Sequence, residues 1–456
     1  MRRSSQEMLQ SKLQAYDAFV MMVQLRVIIN RKLPDLESQL QAIPDWRKFP
    51  QYSVRELALG VIFIFLFKRG SRNNADNSAK KGNYASNIFK VFNCRIADTD
   101  TCNLLMVNLP PDILESVKLA IVRNLLRDKT FARWRTTRKK YCIAVDATGV
   151  HSFKTEPYPN CCYKESKNGN KTFTSAVMEA KLLCSNGFSI SIMTEWIIND
   201  PENAQKVKGV EKTKQDCEQK AFARLAKKLK SAYPQLSICI LGDGLYPNDT
   251  IFNICETNNW DYIFTFKDGN LKTVWEEISS QKQDKQTTDF EYIGTENNRR
   301  INYKGFYCNN LTYKKHKLHV IETIVKTGDT TPCRFVHITN IETTNNNFKE
   351  ISHTGRLRWK IENEGFNEQK NGGYNLSHKF ARKSHQTQCN YYQCLQIAHI
   401  INQLSSLSME YKKRLAANAN ESIKSLIEFT ISSLFHADYD TAEIQKILDK
   451  SCQFRY

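Results

Sequence analysis

The segment Leu236-Ser-Ile-Cys-Ile-Leu241 is apolar or small at almost every position and runs straight into Gly242-Asp243-Gly244. A strand patterned this way is buried on both faces, which requires a sheet covered by helices on both sides. The neighbouring periodicities supply that cover. Upstream, Ala221, Phe222, Leu225, Leu229 and Ala232 recur at three- and four-residue steps and predict a helix within 213–233. Downstream, 249–258 reads as a helix and 262–266 as a strand, so the alternation predicts an α/β core.

A second apolar run, Tyr141-Cys-Ile-Ala-Val-Asp146, also ends in a carboxylate, and Thr148-Gly149 follow it. Strands predicted at 172–184 and 188–198 flank the turn Ser185-Asn186-Gly187 and form a hairpin, which makes the sheet mixed. Residues 281–341 carry short alternating segments broken by polar turns, a β-rich insertion. Helices are predicted before the core at 8–29, 54–67 and 113–126, and after the insertion at 355–370, 387–404, 421–435 and 441–448. The stretch 70–83, rich in Asn, Ser, Lys and Gly, reads as an exposed basic loop. The expected organisation is a helical region at 1–138, core at 139–280, insertion at 281–342, returning core at 343–408 and a helical C-terminal region at 409–456.

The 66 Lys and Arg against 47 Asp and Glu leave a formal charge of +19. Basic residues recur along the chain, as in Arg138-Lys139-Lys140 and Arg299-Arg300, so the surface favours a polyanion met at many points. The 14 cysteines are scattered, and the charged start Met1-Arg2-Arg3 gives no secretory signal, so reduced thiols and a cytoplasmic location are expected. His385, Cys389, Cys394 and His399 have spacings that match no zinc module. The apolar run from Ala58 to Phe67 is ten residues, too short for a membrane span.

Three carboxylates carry the chemical argument: Asp146 and Asp243 at the ends of buried strands, and Glu362 on the helix after the insertion. Strands ending side by side would bring two carboxylates to a shared ion. Hard divalent cations take oxygen ligands, and two such ions about 3.5–4 Å apart stabilise the attacking and leaving oxygens of a phosphoryl displacement. Each carboxylate alone also has an ordinary explanation, as a turn or capping residue or as one half of a helical Arg–Glu pair. Arg358, Glu362, Phe366 and Lys370 step by four, which predicts one helix face, with Glu364 pointing away. Cys142 and Tyr246 read as packing residues, His151 as a polar loop histidine and Glu195 as a candidate supporting group beside the core.

The segments Ala144-Val-Asp-Ala-Thr-Gly149, Leu241-Gly-Asp-Gly-Leu-Tyr246 and Arg356-Leu-Arg-Trp-Lys-Ile-Glu-Asn-Glu-Gly-Phe-Asn-Glu-Gln-Lys370 resemble the bacterial insertion-sequence transposases of the Asp-Asp-Glu type. The resemblance spans roughly residues 50 to 405. It implies an RNase H-like mixed-sheet core with a β-rich insertion before the Glu. Asp146, Asp243 and Glu362 would then be the catalytic metal ligands, for two Mg²⁺ ions or Mn²⁺ in their place, with Arg358, Trp359, Asn367 and Lys370 on DNA. The branch signature has a Tyr three residues before the Arg and a Lys seven after the Glu. Here those positions are Gly355 and Gln369, and the Lys comes one step later.

The implied activity is metal-dependent cleavage at the ends of a mobile element and transfer of the freed 3′-OH into target DNA. The implied partners are double-stranded DNA, as terminal inverted repeats and target, and a second copy of the chain. The helical N-terminal region would bind the repeat, with 69–81 a candidate phosphate contact and the protein associated with the bacterial nucleoid. Two alternatives stay open on the same residues: an endonuclease that cuts without joining, and an inactive transposase-derived DNA-binding protein. A nucleotide-binding enzyme lacks support, because neither a Gly-x-Gly-x-x-Gly fingerprint nor a P-loop is present.

Overall fold

The computed structural model describes residues 5–136, 138–199, 215–296, 299–328, 330–417 and 423–450. It is a mixed α/β protein built on one ten-stranded sheet. Seven helices come first: α1 (Ser5–Lys32), α2 (Leu36–Gln41), α3 (Val54–Leu66), α4 (Arg72–Ala79), α5 (Tyr84–Phe92), α6 (Thr99–Asn108) and α7 (Pro111–Arg127). Ser53 starts α3 through a reciprocal capping box with Glu56, and Pro111 opens α7. Where a basic loop is expected, α4 forms. Ser71 caps it, and Asp76 accepts from the Thr99 backbone and hydroxyl at 2.9 and 2.6 Å, a long-range anchor that local composition does not reveal.

The sheet begins with β1 (Tyr141–Phe153), β2 (Tyr163–Glu165), β3 (Lys171–Leu183) and β4 (Ser189–Ile197). It continues through α8 (Glu218–Ala232), β5 (Ile238–Gly242), α9 (Asp249–Thr257) and β6 (Asp261–Thr265). β4 pairs with β3, and the path runs β3-β1-β5-β6. β1, β5 and β6 are mutually parallel, whereas β3 is antiparallel to both β1 and β4. The first strand extends well past Asp146, because β3 keeps pairing with it as far as Phe153↔Phe173. The start of the helix expected from 213 and Glu421, the first residue of a later one, lie outside the described residues.

Helix α10 (Lys272–Gln283) then leads to β7 (Thr288–Glu296), β8 (Arg299–Tyr313), β9 (His316–Thr327) and β10 (Cys333–Thr339). Only Val274 and Ile278 of α10 are buried, too thin an apolar stripe to be read as a helix from sequence. The four strands do not form a separate sheet. β10 pairs antiparallel with β6, and β9, β8 and β7 follow in order.

The chain returns through α11 (Phe348–Leu357), a π-helical turn (Ile361–Asn367), α12 (Glu368–Asn371) and α13 (His385–Ser405), and ends with α14 (Met409–Ala417), α15 (Ile423–His436) and α16 (Thr441–Leu448). α13 is buried along most of its length and joins the helical region to the sheet. Asn390 donates to the carbonyls of Met106 and Leu109, Asn402 to that of Leu66, and the Gln403 side chain bonds both backbone groups of Ser189. Such polar ties let a buried helix satisfy its side chains while fixing its neighbours. No helix among the described residues is long and apolar enough to cross a membrane.

Candidate functional site

The register of β1 and β5 ends at Ala144↔Leu241, so Asp146 and Asp243 each stand two residues past the last pair, at the same end of adjacent parallel strands. Two close approaches shape the Asp243 turn. A Cβ on Gly242 would lie 2.7 Å from the Tyr246 ring, and one on Gly244 would lie 2.6 Å from the Lys267 stem. Asp243 Oδ1 accepts from the Leu245 backbone at 2.8 Å, and Lys267 Nζ lies 3.5 Å from Oδ2.

Asp146 is the more buried carboxylate, its side chain 19% exposed. Burial, with the neighbouring charges of Glu218 and Asp243, pushes its carboxyl up to about 6, against the opposing pull of Arg358 and the Ala147 backbone N–H. Glu218, in the first turn of α8, accepts from the Tyr246 hydroxyl at 2.9 Å; burial raises its carboxyl, the hydroxyl lowers it and Asp243 raises it. Sequence reading missed this third acid. The available signal was its place at the start of the helix that feeds the Asp243 strand, because a crossover helix begins at the end of the sheet where parallel strands finish.

The segment carrying Glu362 lies on the Asp146 face. Ile361 and Phe366, both fully buried, share an apolar cluster with Cys142, Ala144, Leu241 and Ile263, and each contributes roughly 1.5–3 kcal/mol of burial. Arg358 Nη1 lies 3.4 Å from Asp146 Oδ2, and Lys370 Nζ donates to Thr148 Oγ1 at 2.7 Å. The two cations on either side of Glu362 therefore grip β1 two residues apart. Arg358 Nε is buried without a hydrogen-bond partner, and the guanidinium sits 4.3 Å from the ring centroid of Trp359, which is half exposed. Asn367 is exposed and accepts from Asn371 at 2.7 Å.

The single four-step face expected for this helix is replaced by a wider π turn. A π turn holds one residue more than an α turn and recurs at functional sites. Phe366 points into the core, Gln369 is buried against Gln396 and His399, and Lys370, one step later, reaches Thr148. Glu364 pairs instead with Lys360 at 2.8 Å. Gly355 packs on the His337 ring, where an added Cβ would come within 2.5 Å, so a larger side chain would force the ring or its strand to shift.

The flanks of this segment are pinned from elsewhere in the chain. Arg356 Nη1 meets Glu296 on β7 at 3.0 Å, and Lys68 meets Glu368 at 3.1 Å. Glu195 is held by Arg224 and Lys228, both at 2.6 Å, and so fixes α8 rather than facing the carboxylate pair. His151 is not in a loop but buried on β1, bonded to the His378 carbonyl at 2.9 Å and the Gln388 amide at 2.6 Å. Of the four residues weighed for zinc, Cys389 and His385 lie 3.7 Å apart, and His399 bonds Gln369 and Gln403.

The donors of Asp146 and Asp243 are all oxygen, the set that a hard cation takes. The pair therefore fits a divalent ion as two of its ligands. Among the described residues, no three His, Cys, Asp or Glu side chains are gathered closely enough to hold an ion by themselves, and no hydrogen bond joins Glu362 to either Asp. No protein-family model matches the chain, and no curated protein matches it.

Proposed function

We propose that this chain is a DNA transposase of the Asp-Asp-Glu type with an RNase H-like core, acting through Asp146, Asp243 and Glu362. The observation that carries this reading is the register-matched pair Asp146 and Asp243, with the Glu362 segment tied across it by Arg358 and Lys370. The strand order β4-β3-β1-β5-β6, with β3 alone reversed, supports the core assignment. The late Lys also has a physical account, because the extra residue of the π turn delays the return of the helix to the β1 face by one position.

Asp146 and Asp243 would hold Mg²⁺ or Mn²⁺, with Glu362 as a third ligand, and the ions would activate water and stabilise the leaving 3′ oxygen. Arg358, Lys370 and Lys267 bring positive charge beside the two Asp residues, suited to the phosphate being cut. Trp359 offers an exposed ring on which a base can stack. The N-terminal helices would engage the element end, and a second copy would hold the other end.

The test is metal-dependent cleavage and strand transfer on duplexes carrying the flanking element end, for the native chain and for Asp146→Ala, Asp243→Ala and Glu362→Ala. Loss of both products in all three variants, with DNA binding kept, is the expected result. Cleavage without joining would identify a nuclease, binding without cleavage an inactive DNA-binding protein, and activity surviving one substitution would remove that residue from the triad.

A further inference from the structure

Beyond the carboxylate pair, β1 runs seven more residues to Phe153, and the segment after α12 closes over its far end. His378 accepts from His151 through its carbonyl, and Lys379 Nζ sits 4.5 Å from the Phe153 ring centroid. Between this segment and α4 lies an open groove of about 650 Å³, lined among others by Arg72, Asn73, Lys379, Arg382, Lys383 and Ser384. Arg382 and Lys383 are exposed, and no ion pair among the described residues involves Lys379, Arg382 or Lys383. Arg72 has one carboxylate, the almost fully exposed Asp100 at 3.3 Å.

Positive charge is thus concentrated without matching acids. Burial, Arg382 and Arg72 together hold His378 below the usual histidine range. The groove also receives two helix starts, those of α4 and α13, capped by the side chains of Ser71 and Ser384. Helix starts and clustered guanidinium and ammonium groups favour the same ligand, an anion with oxygen acceptors. The groove is open rather than a closed pocket, so a strand of phosphates lying across it fits better than an enclosed small anion.

We infer that this groove is a second, non-catalytic contact for the phosphate backbone of duplex DNA, set along β1 from Asp146. The inference rests on the transposase reading for its choice of DNA. Seven residues of strand at about 3.3 Å each place the Phe153 end roughly 23 Å from Asp146. With base pairs about 3.4 Å apart, that is about seven base pairs from the phosphate being cut.

The experiment compares the native chain with Lys379→Gln/Arg382→Gln/Lys383→Gln on a duplex carrying the element end, in metal-free buffer across a range of salt. Each lost phosphate contact should flatten the slope of log affinity against log salt by about 0.9, so the triple variant should lose about 2–3 from the slope and at least tenfold in affinity at about 0.1 M salt. Phosphate ethylation about seven base pairs from the cleavage position should interfere with binding of the native chain and not of the variant. A control variant, Lys304→Gln/Lys317→Gln/Lys326→Gln on the β8–β9 hairpin, carries the same charge change and should alter the slope less.

An unchanged slope with native thermal unfolding overturns the groove assignment while leaving the transposase reading intact. Equal effects of the two triple variants would reduce it to net charge, and equal losses on single-stranded DNA would overturn the duplex assignment. Failure of the native chain to bind any DNA would overturn the transposase reading itself.

Discussion

The guanidinium of Arg358 lies 3.4 Å from the carboxylate of Asp146, joining the helix after the insertion to the first strand of the sheet. It lowers an acid that burial has raised to about 6. Replacing it by Met should therefore move the Asp146 carboxyl further upward in the metal-free protein. Carboxyl NMR of Asp146 across pH 4–8 reads this directly; an unmoved midpoint would mean that the pair does not interact in solution. Arg358→Lys should restore part of the lowering but not the forked donor.

Asp146→Asn should stabilise the metal-free protein at neutral pH. The folded carboxyl, at about 6 against an ordinary 3.8, binds its proton more tightly than the unfolded one. Stability is thus lost as pH rises through that window, and the deficit is complete above about 6. At 1.36 kcal/mol per pH unit the deficit is at most about 3 kcal/mol, reduced by loss of the Arg358 contact. Urea unfolding at pH 7.5 should favour the Asn variant, and the advantage should vanish near pH 4. A destabilised variant at pH 7.5 would contradict the burial argument.

His151, His319, His337 and His385 are each held by burial to about 4, with the neutral ring favoured. The sign is opposite to that of Asp146. Their folded values lie below the unfolded 6.5, so the stability they carry is present above 6.5 and is lost as pH falls from there towards 4. At pH 5 each costs up to about 2 kcal/mol. The urea midpoint should fall between pH 7.5 and pH 5, and His151→Gln should show a shallower fall; equal midpoints would refute this.

Gly355→Ala should destabilise the fold by about 1–3 kcal/mol, as overpacking does in a close-packed interior. The new methyl would meet the fully buried His337 ring at 2.5 Å. Denaturant unfolding gives the cost. A neutral result would show that β10 gives way, and its pairing with β6 would then show faster amide exchange.

The placement of Asp146 and Asp243 at strand ends was legible because each follows an apolar run with the pattern of a buried strand. Glu362 was singled out through the resemblance to a family together with its place on the expected Arg358–Lys370 face, not through any pattern of burial. The π turn left no trace in composition, since one additional residue per turn follows from what Ile361 and Phe366 pack against rather than from their own preferences. Glu218 was hidden because the hydroxyl that orients it belongs to Tyr246, on the far side of a strand. Buried charge inside β3 was equally opaque: Glu179 accepts from Thr194 at 2.6 Å, Lys118 donates to the same hydroxyl at 2.6 Å, and Lys181 is brought by burial to about 8. Lys118 and Lys181 find their partners on elements distant in sequence, at Thr194 and Gln396.

The antiparallel seam between β10 and β6 has a consequence for how this protein tolerates change. Strip away 288–339 and β6 becomes a bare margin of unpaired N–H and C=O groups, a template on which another chain can add itself. In the intact protein the margin is β7 instead, where the exposed Asp289 and Glu291 share one face and discourage such additions. The appended strands thus act as a selvedge, moving the open border of the sheet from β6 to a strand that carries two exposed carboxylates.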